Sequence, residues 1–526
     1  MRKRITVTLG LPIVVAIGLS ACSSSNGADH GSNNGKAKQG ASVTLTINGE
    51  PTTLDPQARD DGNLRDVDDN IYETLLTRSA DGTKLEPLLA SAMPNRINPT
   101  TWEFQLRQNV KFTDGEPFDA ASAAYSINRI IAPKFNSELL GSISTITSAK
   151  AAGQYTLDVT TKAPDPILPS RMYFISMMAP NATDPAKTPV GTGPYVLKTW
   201  ANGDHITLTA NPDYWGTKPS ITTATFNYPQ ESGTRLAQLL SGKTDLVTNL
   251  LPTDAKAAPQ LLVAPGDNHA TLILNAESGV TADVRVRQAL NYAVNTPELA
   301  KSLFDGHATA DSCQVMDKSW FGYNPDLKPF EYNQDKAKQL LQEAGFPHLT
   351  LKFLYRNASE GSSKTFQTVQ QDLSKAGITV TGVPSPNADF YVKYLQVPTV
   401  AQRGVWDLSL AGWGADWYGN AALSFFNPLF SGEPSFPPIG SNFGLYNNPK
   451  TNTMIQQAAR ATSDEQTADL WAKADAQVMA DAPFYPLTNP KNANYHAPQV
   501  QNAVYVPALQ GFDPTNVWLD KDKQGG

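Results

Sequence analysis

Helices and strands alternate between residues 284 and 411, and this alternation limits the possible folds more than any other feature of the sequence. One helix is predicted from Asn333 to Gly345 and another from Ser363 to Gly377, because each begins at a capping residue and ends at a glycine. Each is followed by an apolar strand, at 349–355 and 378–383. A third strand is predicted to end at Leu410. We therefore expect an α/β fold with a largely buried sheet in this region.

Strands with one buried face precede this region. Val43, Leu45 and Ile47 alternate with polar residues, which is typical of a strand with one face in a core. Residues 195–200 and 206–208 flank an Asn-Gly pair, the usual signal of a hairpin with a two-residue turn. The chain therefore combines an α/β part with additional antiparallel α+β structure.

The first 22 residues predict export and attachment to a membrane. A positively charged start is followed by an apolar run from Ile5 to Leu19, which at about 15 residues is short for a transmembrane helix. The sequence L-S-A-C, ending at Cys22, resembles the bacterial lipobox. That resemblance implies a signal peptide over 1–21 and a diacylglyceryl group, with acyl chains such as palmitate, on Cys22. Residues 22–41 would form a flexible tether. A secreted chain with a chance cysteine is the alternative.

Charge and cysteine content exclude two classes of protein. The 526 residues contain 42 Lys and Arg against 49 Asp and Glu, a net charge of −7, and no basic block follows residue 4. Binding to nucleic acid is therefore not expected. Two cysteines do not make a disulfide framework, and Cys313 would be the lone thiol after lipidation, predicted to be buried or idle.

Catalytic and metal-binding motifs are missing from the sequence. There is no G-x-S-x-G and no H-E-x-x-H, so we expect neither an enzyme nor a metal or other cofactor. The glycines of Gly191-Thr192-Gly193 and Gly242-Lys243-Thr244 are interpreted as turn and helix-end residues instead of phosphate loops. Five aspartates crowd one stretch without the spacing of a calcium loop, and a solvated acidic rim is favoured over a cation site; they are Asp60, Asp61, Asp66, Asp68 and Asp69.

Five motifs occur in order along the chain. They are TWEFQLRQNVKFTDGEPF from Thr101, PVGTGPYVLKTWANGDHITLTANPDYWG from Pro189, RLAQLLSGKTDL from Arg235, ADVRVRQALNYAVN from Ala282 and LAGWGADW from Leu410. Together they resemble the extracytoplasmic solute-binding proteins of the peptide/nickel type, which serve ABC importers. The resemblance covers nearly all of residues 42–520.

This resemblance implies two lobes that enclose a ligand, in a fold like that of periplasmic binding proteins, with an extra α+β domain on the first lobe. Lobe one would comprise residues 42–72, 188–278 and 485–526. The extra domain would comprise 73–187, and lobe two 279–484.

The resemblance also implies a set of ligand-binding residues around the motif G-W-x-x-D-W. Asp416 matches the aspartate that pairs with a peptide's ammonium group, since an enclosed charge needs a partner. Trp413 and Trp417 either stack on the ligand or fill the core of lobe two. Gly412 leaves its peptide groups accessible to an extended ligand. Oligopeptide-binding relatives often carry a disulfide cysteine where this chain has Gly414, so that bridge is not expected.

Two further residues are candidates for the rest of the ligand. Arg356 lies where dipeptide-binding relatives carry a carboxylate-binding arginine, and its planar group suits a carboxylate; a solvated loop arginine is the alternative. Asn63 lies in the loop where relatives contact the ligand from lobe one, with a simple turn as the alternative.

The sequence therefore predicts a monomeric, lipid-anchored binding component that captures dipeptides or oligopeptides and delivers them to an ABC permease and its ATPase. It would lie at the outer face of the cytoplasmic membrane, or in the periplasm where an outer membrane exists, and contact the membrane through its lipid alone. The alternatives are another solute on the same fold (an oligosaccharide, an opine, heme or a metal complex), a solute-sensing receptor, or a secreted enzyme.

Overall fold

The structure of the protein is a computed structural model. It describes residues 38, 40–47, 49–59, 62–79, 84–143, 145–165, 168–251, 254, 257, 261–264, 268–304, 308–310, 315–316, 322–328, 330–357, 360–386, 389–414, 422–437, 440–461, 464–490, 492–506, 511–512, 514–520 and 522.

Short strands make up much of the described chain. In chain order the first are β1 (Ala41–Thr46), β2 (Glu73–Thr74), β3 (Leu76–Arg78), β4 (Leu85–Pro87), β5 (Asn95–Asn98), β6 (Thr101–Gln105), β7 (Ile146–Gly153), β8 (Thr156–Thr161), β9 (Ser176–Met177), β10 (Tyr195–Ala201), β11 (His205–Ala210), β12 (Ile221–Asn227) and β13 (Leu246–Val247). The later ones are β14 (Leu261–Ala264), β15 (Asn268–Leu274), β16 (Ala308–Ala310), β17 (Leu349–Arg356), β18 (Ile378–Ser385), β19 (Leu408–Gly414), β20 (Phe484–Pro490), β21 (Asn492–His496), β22 (Val500–Gln501), β23 (Tyr505–Val506), β24 (Gly511–Phe512) and β25 (Trp518–Leu519).

Helices are concentrated in the second half of the chain. They are α1 (Gly62–Asp68), α2 (Ala120–Ile131), α3 (Leu140–Ile143), α4 (Leu168–Arg171), α5 (Ser232–Leu240), α6 (Val284–Ala293), α7 (Thr296–Phe304), α8 (Gln334–Glu343), α9 (Glu360–Lys375), α10 (Pro398–Gln402), α11 (Ala422–Phe430), α12 (Pro449–Ala458) and α13 (Asp464–Asp481). A π-helical segment covers Phe390–Leu395, and two 3₁₀ turns cover Val280–Ala282 and Glu433–Ser435.

Sheet one has seven strands among the described residues, in the order β10-β11-β12-β1-β13-β21-β14. β1 runs parallel to β12 and β13. β10 and β11 form the antiparallel hairpin that the Asn-Gly pair predicts, but the two-residue turn is wrong, because residues 202–204 separate the paired ends Ala201 and His205. Val43, Leu45 and Phe226 are buried in its core, which explains the alternation seen in the sequence.

Sheet two has six strands in the described part of the chain, in the order β16-β20-β15-β19-β17-β18. β17 runs parallel to both β18 and β19, which confirms the helix-then-strand pattern of residues 334–414. Its core holds Phe353, Trp406 and Leu408 together with helix residues such as Leu290 and Leu341.

A smaller third core lies between residues 75 and 179. Its described strands form a four-stranded antiparallel sheet, β5-β6-β8-β7, against which α2 packs. Asp119 caps α2 by accepting hydrogen bonds from the amides of Ala121 and Ser122, and the Ser122 hydroxyl in return accepts from the Asp119 amide. This capping box satisfies main-chain groups at the start of the helix, Ala-Ala-Ser-Ala.

Hydrogen bonds of Glu73 connect this third core to the segments that flank β10 and β11 of sheet one. Its buried carboxylate accepts hydrogen bonds from Thr192 Oγ1 at 2.7 Å, Tyr214 Oη at 2.8 Å and Trp215 Nε1 at 2.8 Å. Burial raises the pKa of the Glu73 carboxyl, and the three donors act in the opposite direction. The glycines on either side of Thr192 are needed here, because a Cβ on Gly191 would lie 2.1 Å from the Ile71 carbonyl oxygen.

Strand pairing and helix ends bear on three features of the sequence. β15 and β20 belong to sheet two, so the chain changes sheet between 264 and 268 and between 490 and 492. The predicted start of α9 at Ser363 is wrong, because the helix already begins at Glu360. Gly242, at φ +69°, ends α5 as expected.

Asp475 provides a pH-dependent contribution to stability. It is fully buried on α13, accepts a hydrogen bond from the Val315 amide at 3.2 Å, and has a pKa that burial raises to about 7. The folded state therefore holds this proton more tightly than the unfolded chain does. The stabilisation that protonated Asp475 gives the folded state is complete below about pH 4 and is lost as the pH rises through 7.

We predict that Asp475→Asn removes this titration. The amide keeps an acceptor for Val315, so the variant should match the wild type near pH 4 and be more stable at pH 8, by on the order of 4 kcal/mol. Urea unfolding followed by circular dichroism at both pH values measures this. Asp469→Asn, an exposed residue of the same helix, is the matched control. An equal shift of both variants at all pH values would contradict the prediction.

Candidate functional site

Two short segments of chain join the strand ends of the two sheets. β14 of sheet one leads through residues 265–267 into β15 of sheet two, and β20 returns to β21 through residue 491 alone. A single intervening residue spans at most about 7 Å between the Cα atoms of Pro490 and Asn492. The two sheets must therefore lie close together at these edges.

Parallel strands end at both of these edges. Gly414, the last residue of β19, pairs with Asn268 at the crossing, and β17 and β18 run parallel to β19. In sheet one, Ala264 at the end of β14 pairs with Asn492, and β1 points the same way as β14. The crevice at the carboxyl ends of strands is where α/β proteins bind ligands, so it is the candidate site.

The ladder between β17 and β19 stops before the crevice, which leaves a gap in strand pairing. Their ladder contains the pairs Phe353 with Leu408 and Leu354 with Ser409, whereas β19 continues to Gly414. From Leu410 onward, the side of β19 that faces β17 has no registered strand partner among the described residues. Gly412 lies in this stretch, half-buried, and pairs with Ala270 of β15 on its other side.

The rest of the G-W-x-x-D-W motif is only partly described. The main chain of Trp413 pairs with His269 within β19, and its side chain lies outside the described part. Asp416 and Trp417 also lie outside the described residues, as do Cys22 and Cys313. Their predicted roles therefore stay predictions.

Arg356 ends β17 and reaches the same edge. Two residues beyond the Leu354–Ser409 pair, it comes level with Ala411, next to Gly412 on the neighbouring strand. Its amide donates to Ser362 Oγ at 3.2 Å, and its guanidinium carbon lies 5.5 Å from the centroid of the Phe390 ring. Arg356 is half-buried, so it is not the solvated loop arginine of the alternative interpretation.

One N–H donor of the Arg356 guanidinium is not used by the described residues. Its Nε atom is buried and has no hydrogen-bond partner among the described residues. Tyr391 lies close enough for the Arg356 charge to lower the pKa of its hydroxyl, although burial, the larger effect, raises it. Sequence reasoning missed Phe390 and Tyr391, because they lie in a π-helical segment that no periodicity predicts.

Asn63 lies on the lobe-one side of the crossing. It is the second residue of α1, which follows the carboxyl end of β1, and its side chain lies against Gly49, where a Cβ would come within 2.8 Å of Nδ2. Asn63 is therefore a packed helix residue and not a simple turn, and it remains half-buried.

The acidic stretch after β1 differs from expectation. Asp66 and Asp68 are 5% and 3% exposed, so the solvated rim is wrong for these two residues, because α1 turns them toward the protein interior. Asp60 and Asp61 lie outside the described residues. Within the described ranges, no group of three or more His, Cys, Asp or Glu is placed to hold a metal ion.

Two joined sheets, with strand ends converging on one crevice and glycine and arginine at its edge, define a two-lobed protein built to enclose a ligand. Among the described helices, none is sufficiently long and apolar to cross a membrane.

The comparisons with known proteins agree with this class. The family model of bacterial extracellular solute-binding proteins, family 5 (middle part), matches residues 84–436. The chain therefore belongs to this family, whose members are extracytoplasmic binding proteins of ABC importers and not enzymes.

Individual relatives differ in ligand. The chain is 28% identical over 461 residues to the glutathione-binding protein GsiB of Pectobacterium atrosepticum, covering 84% of this chain and 87% of the relative. Among solved structures it is similar to DppA from Helicobacter pylori in complex with the peptide STSA, with a TM-score of 0.78, 24% identity and coverage of 92% and 99%. It is also similar to NikA from Brucella suis in complex with Fe(III)-EDTA, with a TM-score of 0.79, 22% identity and coverage of 91% and 100%.

Proposed function

We propose that this protein is a lipid-anchored peptide receptor that captures short peptides in the crevice between its sheets and delivers them to an ABC permease. The observation that carries the proposal is the gap in strand pairing beyond Leu354 and Ser409, where the side of β19 that faces β17 has no registered strand partner from Leu410 to Gly414 among the described residues.

An extended peptide suits this gap because its main chain can pair with such an edge. Strand addition uses peptide groups and not side chains, so it accepts many sequences. Gly412 has no side chain, which lets a ligand backbone approach closely. Waters would fill the unused volume beside small ligand side chains.

The two charged ends of a peptide need partners when they leave water. In this proposal Asp416 pairs with the ammonium group, Trp413 and Trp417 contact ligand side chains, Arg356 binds the carboxylate, and Asn63 contacts the ligand from lobe one. Arg356 is suited to its role because its guanidinium is half-buried and its Nε lacks a hydrogen-bond partner among the described residues.

The relatives support a peptide without fixing its length. GsiB binds glutathione and the DppA complex holds a four-residue peptide, whereas the NikA complex holds a metal chelate.

Domain limits are part of the same proposal. Residues 73–187 form the extra domain, and the chain passes from one lobe to the other at the two sheet crossings. The receptor acts as a monomer.

Native mass spectrometry of the protein, purified as cells process it, tests the ligand class. We expect a series of masses that fragment as peptides after denaturation. A single non-peptide mass would contradict the peptide proposal and favour another solute on the same fold. Transport is tested separately, by whether deleting the gene abolishes uptake of the released compounds; unchanged uptake would favour a sensing receptor.

We predict that Asp416→Asn weakens binding of peptides with a free amine by about 30-fold to several thousand-fold, or ~2–5 kcal/mol, because an enclosed ammonium group loses its partner. The probe is a synthetic tetrapeptide mixture carrying the ordinary amino acids other than Cys at every position, titrated by calorimetry. N-acetylation of the mixture should cost the wild type as much and the variant little more.

Asp335→Asn is the control for this experiment, because it changes an exposed carboxylate on α8 in the same lobe. Equal binding by wild type and Asp416→Asn would show that Asp416 does not meet the ammonium group.

We predict that Cys22→Ala releases the protein from the membrane. Without the thiol there is no site for the lipid, and the rest of the mature chain carries no anchor in this proposal. Membrane fractionation, together with the mass of the N-terminal peptide, measures the effect. Ser23→Ala, the adjacent substitution, should leave the protein lipidated. Membrane association of both variants would contradict the prediction.

A further inference from the structure

Arg356 is held by hydrogen bonds along its backbone. The Arg356 amide donates to Ser362 Oγ, and the next amide, of Asn357, donates to the Ser385 carbonyl oxygen at 3.1 Å. The backbone at the end of β17 is therefore fixed on both sides of Arg356.

The guanidinium itself rests against Phe390. The ring is fully buried, and its centroid lies 5.5 Å from the guanidinium carbon, within the range of a cation–π contact. Phe390 is fixed in turn, because its amide donates to the Pro386 carbonyl oxygen and its ring packs edge-on against Tyr391 at 5.1 Å. Phe390 begins a π-helical segment directly after β18, and such segments are often found at functional sites.

We propose that Phe390 is a positioning residue that orients Arg356 for the carboxylate at the end of a peptide. An aromatic face attracts the guanidinium without using any of its N–H groups, so the donors in the guanidinium plane stay available. A hydrogen-bonding or acidic neighbour would occupy the same donors that a carboxylate requires. This inference rests on the proposed function, since it assigns the reason why the site takes ligands with a free carboxylate.

The consequence is selectivity at one end of the ligand. A planar, pre-oriented guanidinium binds a carboxylate through two parallel hydrogen bonds. A terminal amide offers only one acceptor oxygen, and the N–H groups of the guanidinium repel its NH₂ group. Loss of the ring would leave Arg356 charged but free to rotate. Binding of the acid should therefore fall more than binding of the amide.

The test compares the tetrapeptide mixture with the same mixture amidated at its C terminus, using wild type, Arg356→Gln, Phe390→Leu, Phe390→Tyr and the pair Arg356→Gln with Phe390→Leu. Phe366→Leu is the matched control, because Phe366 packs on Tyr355 at the same edge. We expect Phe390→Leu to reduce the preference for acid over amide about threefold to tenfold. Phe390→Tyr and Phe366→Leu should retain the preference, and the double variant should lose no more than Arg356→Gln alone.

The two proposals fail in different ways. If wild type and variants bind neither mixture, the peptide function and this inference are both overturned. If Arg356→Gln abolishes the preference while Phe390→Leu keeps it, or if Phe366→Leu lowers it as much as Phe390→Leu does, the positioning role is wrong and the peptide function stands. Urea unfolding of each variant identifies any effect that comes from lost stability alone.

Discussion

The short link between β20 and β21 is the constraint on which the rest of this structure depends. One residue separates a strand of sheet two from a strand of sheet one, and a second link of three residues lies beside it. Chain connectivity therefore brings the carboxyl edges of the two sheets together. Each sheet can keep its own core while the lobes change their relative angle, as hinge-bending proteins do. The proposed ligand site lies where this motion would open and close it.

Polar groups at this edge follow from how each sheet is built. In sheet two the β17–β19 ladder ends at Leu354 and Ser409. Just before the crossing, the side of β19 that faces β17 therefore has no registered partner among the described residues. In the proposed function, the main-chain groups on this side of β19 pair with the ligand. Arg356 lies on the other side of the same gap, fixed by Ser362 and Phe390. The proposed recognition of a ligand's backbone and of its charge would thus arise from a single local feature of the sheet.

Local patterns in the sequence predicted much of the fold. Asn333 caps α8, Asn-Gly joins β10 to β11, and Gly242 ends α5, because capping and turn chemistry depend on a few neighbouring residues. Two expectations were wrong for the opposite reason. Burial of Asp66 and Asp68 depends on which side of α1 meets the core. The true start of α9 places Ser362 in the first turn of the helix, where its hydroxyl accepts a hydrogen bond from the Arg356 amide.

The sequence by itself determined the type of several elements and the family, and it supplied the residues proposed for a peptide's two ends, because these follow from residue chemistry and ordered motifs. The tertiary structure decided which strands adjoin and where a ladder stops. It placed Arg356 level with the stretch around Gly412 and set Phe390 against Arg356 across 34 residues of chain. Such contacts follow from register and packing between distant segments, and no local pattern records them.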